Sequence, residues 1–468
     1  VVREGETLVR QTALDSDITL FEDGYVSGAE WLLEPHEKGR GLQFRSKQEP
    51  SLRIGEEGLT SRVGTGARVR LEPTTGCTEP PELTLDADGL PSRTTFEDGD
   101  VLGYVDAHSH IFSNFGFGGS LYHGSPFHPL GVEHALPDCA MHHGEKGRKD
   151  LFGYAYDHDD DPDAFAAVIG GLVAGELTED NHATEGYPQF TEWPNARLRG
   201  THQVQYHKWL ERAWLSGLRL VVQHATTNSI ICEVSVGGGL IPGRYDCSDM
   251  TGVDRQLDAV YAMERYLDAQ AGGPGKGWFR VVTSPAEARQ VIEDGKLAVV
   301  LGIETSNLFD CYLTPRGRGP TCDIEHVRAQ LDAYHERGVR VLFPVHKYDN
   351  AFTPGDGDGG FVEVGNVVNT GHYIDKTQDC PGLPTSFDDG PVDFAGFLHT
   401  RHGYDDPPPL DFTGWDEDPV GTLLPYFGQL TSGSVEGDWC QAHGLTPLGA
   451  QLIDEILLKG MIPELDHL

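Results

Sequence analysis

Apolar segments that end in histidine or glutamate occur at several places along this chain. The segment "VLGYVDAHSHIF" brings His108 and His110, "KLAVVLGIE" ends at Glu304, "VRVLFPVH" at His346, and "MIPELDHL" carries His467. Imidazole and carboxylate groups are the ligands that zinc and similar divalent ions take in catalytic sites. These residue types therefore indicate a metal centre that activates water.

The His-x-His pair is the first part of this prediction. Residues two apart in a strand point to the same side, so His108 and His110 can grip one ion. The pair alone is also compatible with a surface or structural pair. Glu304 follows "VVLGI", where a carboxylate is costly to bury unless it meets a cation or donors, as in a metal site or a core ion pair. A metal-bridging carboxylate holds two ions about 3.5–4 Å apart.

The other histidines complete the predicted site. His467 is expected to bind the second ion, which gives His108, His110, Glu304 and His467 as the metal ligands of two zinc ions. His346 is interpreted as a catalytic residue that is either a ligand or a hydrogen-bond partner of a substrate carbonyl or tetrahedral intermediate. A further histidine, His224 in "LRLVVQHA", is interpreted as a rim residue and left out of the ligand set.

A repeated plan of helix, glycine and strand positions these residues. It occurs four times after residue 200, and a strand without a preceding helix comes before it. Apolar strands that alternate with helices indicate an α/β fold with a parallel sheet covered by helices. The carboxyl ends of such strands meet on one face, which carries the chemistry.

Capping residues set the expected helix ends. Thr201 is predicted as an N-cap with Gly217 as the stop of the first helix. Ser284 and Glu287 predict a capping box, and "TPLGAQLIDEILLKG" predicts a helix that begins after Thr446.

Two domains are expected. Residues 1–100 read as a β-rich accessory module, and residues 101–468 as the β/α domain. Within the latter, residues 113–200 and 347–443 are long connections rich in Gly and Asp, which are usually binding loops or lids.

Charge and cysteine content limit the class of protein. The formal charge is −38, which argues against a nucleic-acid partner. The sequence has no run of about 18 apolar residues, so it predicts no membrane-spanning helix. The eight cysteines favour disulfides, with Cys232–Cys247 and Cys311–Cys322 as local pairs, and so an exported protein that is extracellular or periplasmic. Unpaired thiols in a cytosolic enzyme are the alternative.

The motifs "DAHSHIF", "AVVLGIE", "VRVLFPVHKYDNAF" and "GLTPLGAQLIDEILLKGMIPELDHL" occur in this order. Together they resemble the zinc-dependent membrane (renal) dipeptidase family of amidohydrolase-like hydrolases. The resemblance is closest to large bacterial exported relatives with an N-terminal β module and a "PFHPLGVEHAL-DC" insertion. It covers residues 100–468.

The resemblance implies roles for the same residues. His108 matches a ligand of the first ion, Glu304 the bridging glutamate, His346 a substrate-contacting histidine and His467 a ligand of the second ion. His110 stands where the dipeptidases usually have aspartate. The resulting His-x-His pair is closer to the general amidohydrolase signature.

The resemblance also implies a (β/α)8 barrel of the TIM type, of which the chain supplies about five strands. Three more strand–helix units require roughly 90 residues at about 30 each. We therefore expect a second polypeptide, a homo-oligomer or a continuation beyond Leu468 to supply the remainder.

The expected activity is hydrolysis of an amide bond in a small peptide, as in a dipeptidase. Two alternatives remain open. One is an amidohydrolase that acts on lactones, cyclic amides or phosphoesters, and the other is a non-catalytic exported binding or structural protein on a degenerate barrel.

Overall fold

The structure is a computed structural model with two compact units, Val1–Pro81 and Glu82–Leu468. The residues that it describes are 2–4, 7–9, 31–46, 49–56, 58–62, 64–70, 72, 75–76, 79–89, 94–158, 164–194, 200–313, 322–355, 360–372, 374, 376–377, 411–424 and 440–465.

The first unit contains antiparallel strands. Its described strands are β1 (Val2–Glu4), β2 (Thr7–Val9), β3 (Trp31–Pro35), β4 (Leu42–Ser46), β5 (Arg53–Gly55) and β6 (Gly58–Thr60). The last four form one sheet in sequence order, and β1 pairs with β2. Each consecutive pair in that sheet is antiparallel, as expected for strands joined by short turns.

The second unit is built on a parallel sheet. Its strands are β7 (Tyr104–Ser109), β8 (Leu218–Thr227), β9 (Phe279–Val281), β10 (Leu297–Thr305), β11 (Val339–Leu342) and β14 (Ile462–Pro463). The order is β14–β11–β10–β8–β7. A separate two-stranded antiparallel sheet pairs β12 (Lys376–Thr377) with β13 (Cys440–Gln441). The predicted α/β class and the five parallel strands are confirmed, and a full eight-stranded barrel stays a prediction.

The short strand β9 was not predicted. It pairs with β10 at Leu297–Val299, and β11 pairs with the same edge of β10 further along, at Leu301–Ile303. Three residues of strand carry too little periodicity to be found from sequence.

Helices cover the sheet and fill the connections. The described α-helices are α1 (Val132–Ala135), α2 (Ala140–His143), α3 (Leu151–Asp157), α4 (Ala164–Ala174), α5 (His207–Ser216), α6 (Ser229–Cys232), α7 (Asp249–Gln270), α8 (Pro285–Glu293), α9 (Ile324–Glu336), α10 (Gly360–Thr370), α11 (Pro419–Leu423) and α12 (Pro447–Leu458). Four of them, α1–α4, lie within the predicted connection 113–200, so this connection is a folded insertion. The described parts of 347–443 include α10 and α11.

Burial explains the apolar strands. In β10 every residue except Val300 is buried, because helices pack on one side and barrel side chains on the other. Val282, Ala288, Ile292 and Ala298 form the contact of α8 with this strand. A strand buried on both faces requires the continuous run that "LAVVLGI" supplies.

The predicted helix ends are confirmed except for the start of α5, and the predicted capping box at Ser284 forms only in part. Ser284 accepts a hydrogen bond from Glu287 N, while the Glu287 carboxylate accepts from Thr283 N rather than from Ser284. Gly217 follows α5 with a φ of 124°. The prediction that Thr201 caps α5 is wrong, because that helix begins at His207 and the Thr201 hydroxyl donates to a buried Asp150.

Two disulfides join Cys232 to Cys247 and Cys311 to Cys322, as predicted. Each closes a short loop, and the loop beside Cys232 leads into α7. Among the described helices, none has the length and apolar character needed to cross a membrane.

Candidate metal centre

His108 and His110 lie at the carboxyl end of β7. The strand ends at Ser109, so His108 is its penultimate residue and His110 follows it directly. The two Nε2 atoms are 2.9 Å apart. Both rings therefore face one point, as the two-residue spacing predicts.

Glu304 reaches the same point from β10. Its side chain is fully buried, and Oε2 lies 2.9 Å from His108 Nε2 and 2.5 Å from His110 Nε2. The other oxygen, Oε1, lies 3.0 Å from His346 Nε2. Three imidazoles thus approach one buried carboxylate.

His346 follows β11, which ends four residues earlier at Leu342. Its backbone carbonyl accepts hydrogen bonds from Ser306 Oγ at 2.5 Å and from Tyr348 N at 2.6 Å. These contacts fix the turn that aims the His346 ring at Glu304.

Glu464 and His224 extend the cluster, and sequence reasoning missed both in the site. Glu464 follows β14 directly, with Oε1 2.9 Å from His108 Nδ1 and Oε2 2.7 Å from His224 Nε2. His224 is fully buried in β8 and stacks on His108 with ring centroids 4.3 Å apart. The signal was present for His224, since it follows the apolar run "LRLVV" within β8.

A glycine makes room for the His224 ring. Gly302 in β10 is the register partner of His224, and a Cβ at Gly302 would lie 2.5 Å from the imidazole. The glycine in "VVLGIE" is therefore required by the close approach of a side chain from the neighbouring strand.

Electrostatics define the protonation states of this part of the cluster. Burial alone would raise the pKa of Glu464, but hydrogen bonds from His224 and His108 outweigh it and lower the pKa. Burial lowers the pKa of His224, and Glu464 opposes this only in part. Glu464 is therefore an ionised acceptor between two imidazoles.

The donor set fits a divalent metal ion. Because the Glu464 carboxylate only accepts, His108 Nδ1 carries the proton and Nε2 presents a lone pair towards His110 and Glu304. A carboxylate on the far nitrogen of a ligating histidine is the usual arrangement around bound zinc. The three atoms from His108, His110 and Glu304 could hold one ion. His108, His224 and Glu464 form a second such group.

A cavity opens on this cluster. It has a volume of about 320 Å³ and is lined by His108, His110, Asn114, Tyr122, His202 and Gln205, among others. The cavity thus lies between the carboxyl end of β7 and the insertion at 113–200. It has room for a small substrate beside the two histidines.

The structure brings together His108, His110, Glu304 and His346 from the predicted set. The fifth predicted residue, His467, lies outside the described residues. A second group of possible ligands was not predicted: Cys139, His143 and His182 lie in the insertion, and His202 lies just after it.

No family model, no curated protein and no solved structure matches this chain. The resemblance to the dipeptidase family stays a prediction.

Proposed function

We propose that this protein is a metal-dependent hydrolase that cleaves an amide bond in a small peptide. The observation that carries the proposal is the convergence of His108, His110 and Glu304 within 2.9 Å at the carboxyl ends of parallel strands. A fully buried carboxylate surrounded by imidazoles, beside a cavity, is the arrangement expected of a catalytic metal site.

The side chains divide into three roles in this proposal. His108, His110 and Glu304 hold the ion, and Glu464 orients His108 through Nδ1. A bound zinc ion supplies Lewis acidity and lowers the pKa of water towards neutrality. We propose that two zinc ions bind, with His467 as a ligand of the second ion.

His346 is the proposed catalytic residue. Its Nε2 contacts Glu304 Oε1 at 3.0 Å, on the other carboxylate oxygen from the one facing His108 and His110. A donor there can bind the oxygen on which negative charge develops as the carbonyl is attacked. One such donor contributes about 10²–10³-fold to the rate.

Zinc-dependent hydrolysis of a dipeptide panel tests the proposal. The full chain is stripped of metal with a chelator, and hydrolysis is measured with and without added zinc. We expect activity only with zinc, and its loss in His110→Ala and Glu304→Gln together with reduced bound metal. The surface variant Glu455→Gln serves as the control. Unchanged metal content in both site variants would show that the ligand assignment is wrong.

The His-x-His pair favours a second candidate substrate class. His110 Nε2 lies 2.5 Å from Glu304 Oε2, which supports both histidines as ligands, and a His-x-His pair is closer to the general amidohydrolase pattern. Lactones, cyclic amides and phosphoesters therefore belong in the same screen. Cleavage of one of these in place of dipeptides would assign this class. A protein without stoichiometric metal would support the non-catalytic alternative.

The ends of the parallel sheet support a further part of the proposal. Among the described residues β7 and β14 end the sheet, and Tyr104, Val105 and Ile462 are 47%, 56% and 57% exposed there. Open edges with apolar side chains are usually covered. We propose that further polypeptide completes the barrel, and that the two disulfides reflect an exported protein.

A further inference from the structure

A second cluster of possible metal ligands lies in the folded insertion and in the residues just after it. Cys139, His143, His182 and His202 are each 1–4% exposed, and one sulfur or nitrogen from each lies within 4.8 Å of all the others. None of the four belongs to the group formed by His108, His110 and Glu304. One thiol and three imidazoles buried together are the donor types of a zinc site.

Local structure aims these side chains at one another. Cys139 directly precedes α2 and His143 is its last residue, so the two lie four apart on one helical face. Cys139 N donates to Thr184 O, which ties α2 to the segment that carries His182. His202 is positioned by an isolated β-bridge with His123.

The hydrogen bonds of the cluster leave ligand atoms pointing inwards. His143 Nε2 contacts the Leu121 carbonyl at 3.0 Å, so this nitrogen carries the proton and Nδ1 presents a lone pair. His182 Nε2 lies 3.4 Å from Cys139 Sγ. That separation is close to the roughly 3.5 Å between sulfur and nitrogen ligands on one tetrahedral zinc ion with Zn–S and Zn–N bonds of about 2.3 and 2.0 Å.

Charge is also balanced around the cluster. Asp150 is buried beside it, with Oδ2 3.7 Å from His143 Nδ1 and 3.9 Å from His182 Nδ1. The same oxygen accepts a hydrogen bond from Thr201 Oγ1 at 2.6 Å. A divalent ion with one thiolate and three neutral imidazoles has a net charge of +1, which one carboxylate compensates.

We propose that Cys139, His143, His182 and His202 form a closed structural site for zinc or a similar divalent ion. Binding replaces the thiol proton of Cys139, which passes to solvent, with the metal–sulfur bond. Four buried protein ligands fill a tetrahedral ion and leave no position for substrate, so the site is structural and not catalytic.

The site holds one wall of the cavity beside His108. His202 is followed by Gln203, whose Nε2 donates to Ile111 O at 2.9 Å, and Gln205, whose Nε2 donates to Ser109 Oγ at 2.7 Å. Both contacts reach the chain on either side of His110. An ion held by Cys139, His143, His182 and His202 would therefore connect the folded insertion to the segment that bears His108 and His110.

Cobalt substitution tests the proposal, because only a thiolate ligand gives a sulfur-to-cobalt charge-transfer band. The His108–His110–Glu304 group contains no sulfur. The full chain, stripped of metal, is titrated with Co²⁺. We expect the band to saturate at the intensity of one thiolate-bound cobalt ion per chain, to be absent in Cys139→Ser, and to persist in Glu304→Gln. The control His134→Gln, in the same insertion, keeps the band.

Each outcome decides the proposal. If Cys139→Ser loses both the band and one equivalent of bound metal, the proposal is supported. If that variant keeps the band, the proposal is overturned. Should Cys139→Ser fail to fold, the wild-type spectrum and His202→Gln decide: cobalt bound without the band, or a band unchanged in His202→Gln, overturns the site. If Glu304→Gln loses hydrolysis but keeps the band, the Cys139 site binds its ion independently of the catalytic site. The two proposals can therefore be refuted separately.

Discussion

His108 Nδ1 lies 2.9 Å from Glu464 Oε1, although 356 positions separate the two residues. His108 belongs to β7 and Glu464 follows β14, the two strands that end the described parallel sheet. The sheet is therefore curled far enough for side chains at the ends of its two outer strands to meet at the carboxyl rim. The contact joins the two outer strands of the sheet in one cluster of residues that could hold a metal ion.

The first prediction concerns this contact. Glu464→Gln removes the negative charge that holds the proton on His108 Nδ1, so His108 Nε2 becomes a weaker ligand. We expect the dissociation constant for zinc at this centre to rise about 10–100-fold, as is typical when the partner of a ligating histidine is lost. Competition with a chromogenic chelator measures it.

Glu455→Gln is the matched control for that substitution. Glu455 lies in α12 and pairs with Arg328 at 2.7 Å, on the helical layer. Its loss should leave zinc affinity unchanged. Equal affinities in Glu464→Gln and the wild type would remove Glu464 from the site.

The second prediction separates binding from catalysis at His346. His346→Gln should retain zinc, because the three atoms grouped as the ion's ligands come from other residues. We expect kcat to fall by about 10²–10³-fold with KM changed much less, since the lost donor acts on charge that develops during the reaction. Steady-state kinetics and metal analysis measure the two effects. A loss of zinc that parallels the loss of kcat would make His346 a ligand instead.

Local rules predicted much of this fold. The strands β8 and β10 are long and apolar throughout, and the helices α8 and α12 begin at Ser and Thr caps followed by Pro. Both disulfides close loops of fewer than about 20 residues, where proximity follows from chain length. These features depend on neighbours along the chain, which the sequence displays.

Long-range contacts could not be predicted in the same way. Glu464 was passed over in favour of His467, because the last predicted strand ends at the histidine and the resemblance also matches a ligand there. No local feature shows that the residue after β14 lies beside His108. The proposed ligands of the second cluster come from two segments of the insertion and one segment just after it, without a Cys-x-x-Cys or similar spacing. Thr201 was predicted as a cap from its neighbours along the chain. Its hydrogen-bond partner Asp150 is 51 positions away, which the local sequence does not show.

The third prediction concerns the "TPLG" motif at the start of α12. A Cβ at Gly449 would lie 1.9 Å from the Phe352 carbonyl oxygen, so Gly449→Ala forces backbone to move. We expect the free energy of unfolding to fall by about 1–3 kcal/mol. In the control Gly170→Ala, an added Cβ meets nothing within 4 Å in α4, and stability should rise by about 0.5–1 kcal/mol. Urea unfolding of both variants measures the difference, and equal effects would contradict the close approach.

The fourth prediction concerns the pH dependence of stability. Asp249 is fully buried at the start of α7, and burial raises its pKa to about 8 although Asn307 N donates to Oδ2 at 3.0 Å. Since the pKa in the unfolded chain is about 3.9, the folded state binds more protons between pH 4 and 8. The contribution of Asp249 to stability therefore falls as pH rises through this range, by up to about 1.4 kcal/mol per pH unit.

Asp249→Asn isolates that contribution because the amide matches the neutral carboxylic acid in shape. Oδ1 of Asp249 has no hydrogen-bond partner among the described residues, so the amide nitrogen displaces no existing bond there while the amide oxygen can accept from Asn307 N. We expect the variant to gain stability relative to the wild type as pH rises from 5 to 8, measured as the free energy of unfolding in urea at each pH. The exposed variant Asp454→Asn controls for the substitution itself. A difference between Asp249→Asn and the wild type that stays constant over this range would show that Asp249 is ionised throughout, and that the N–H groups of Ser229 and Asn307 outweigh its burial.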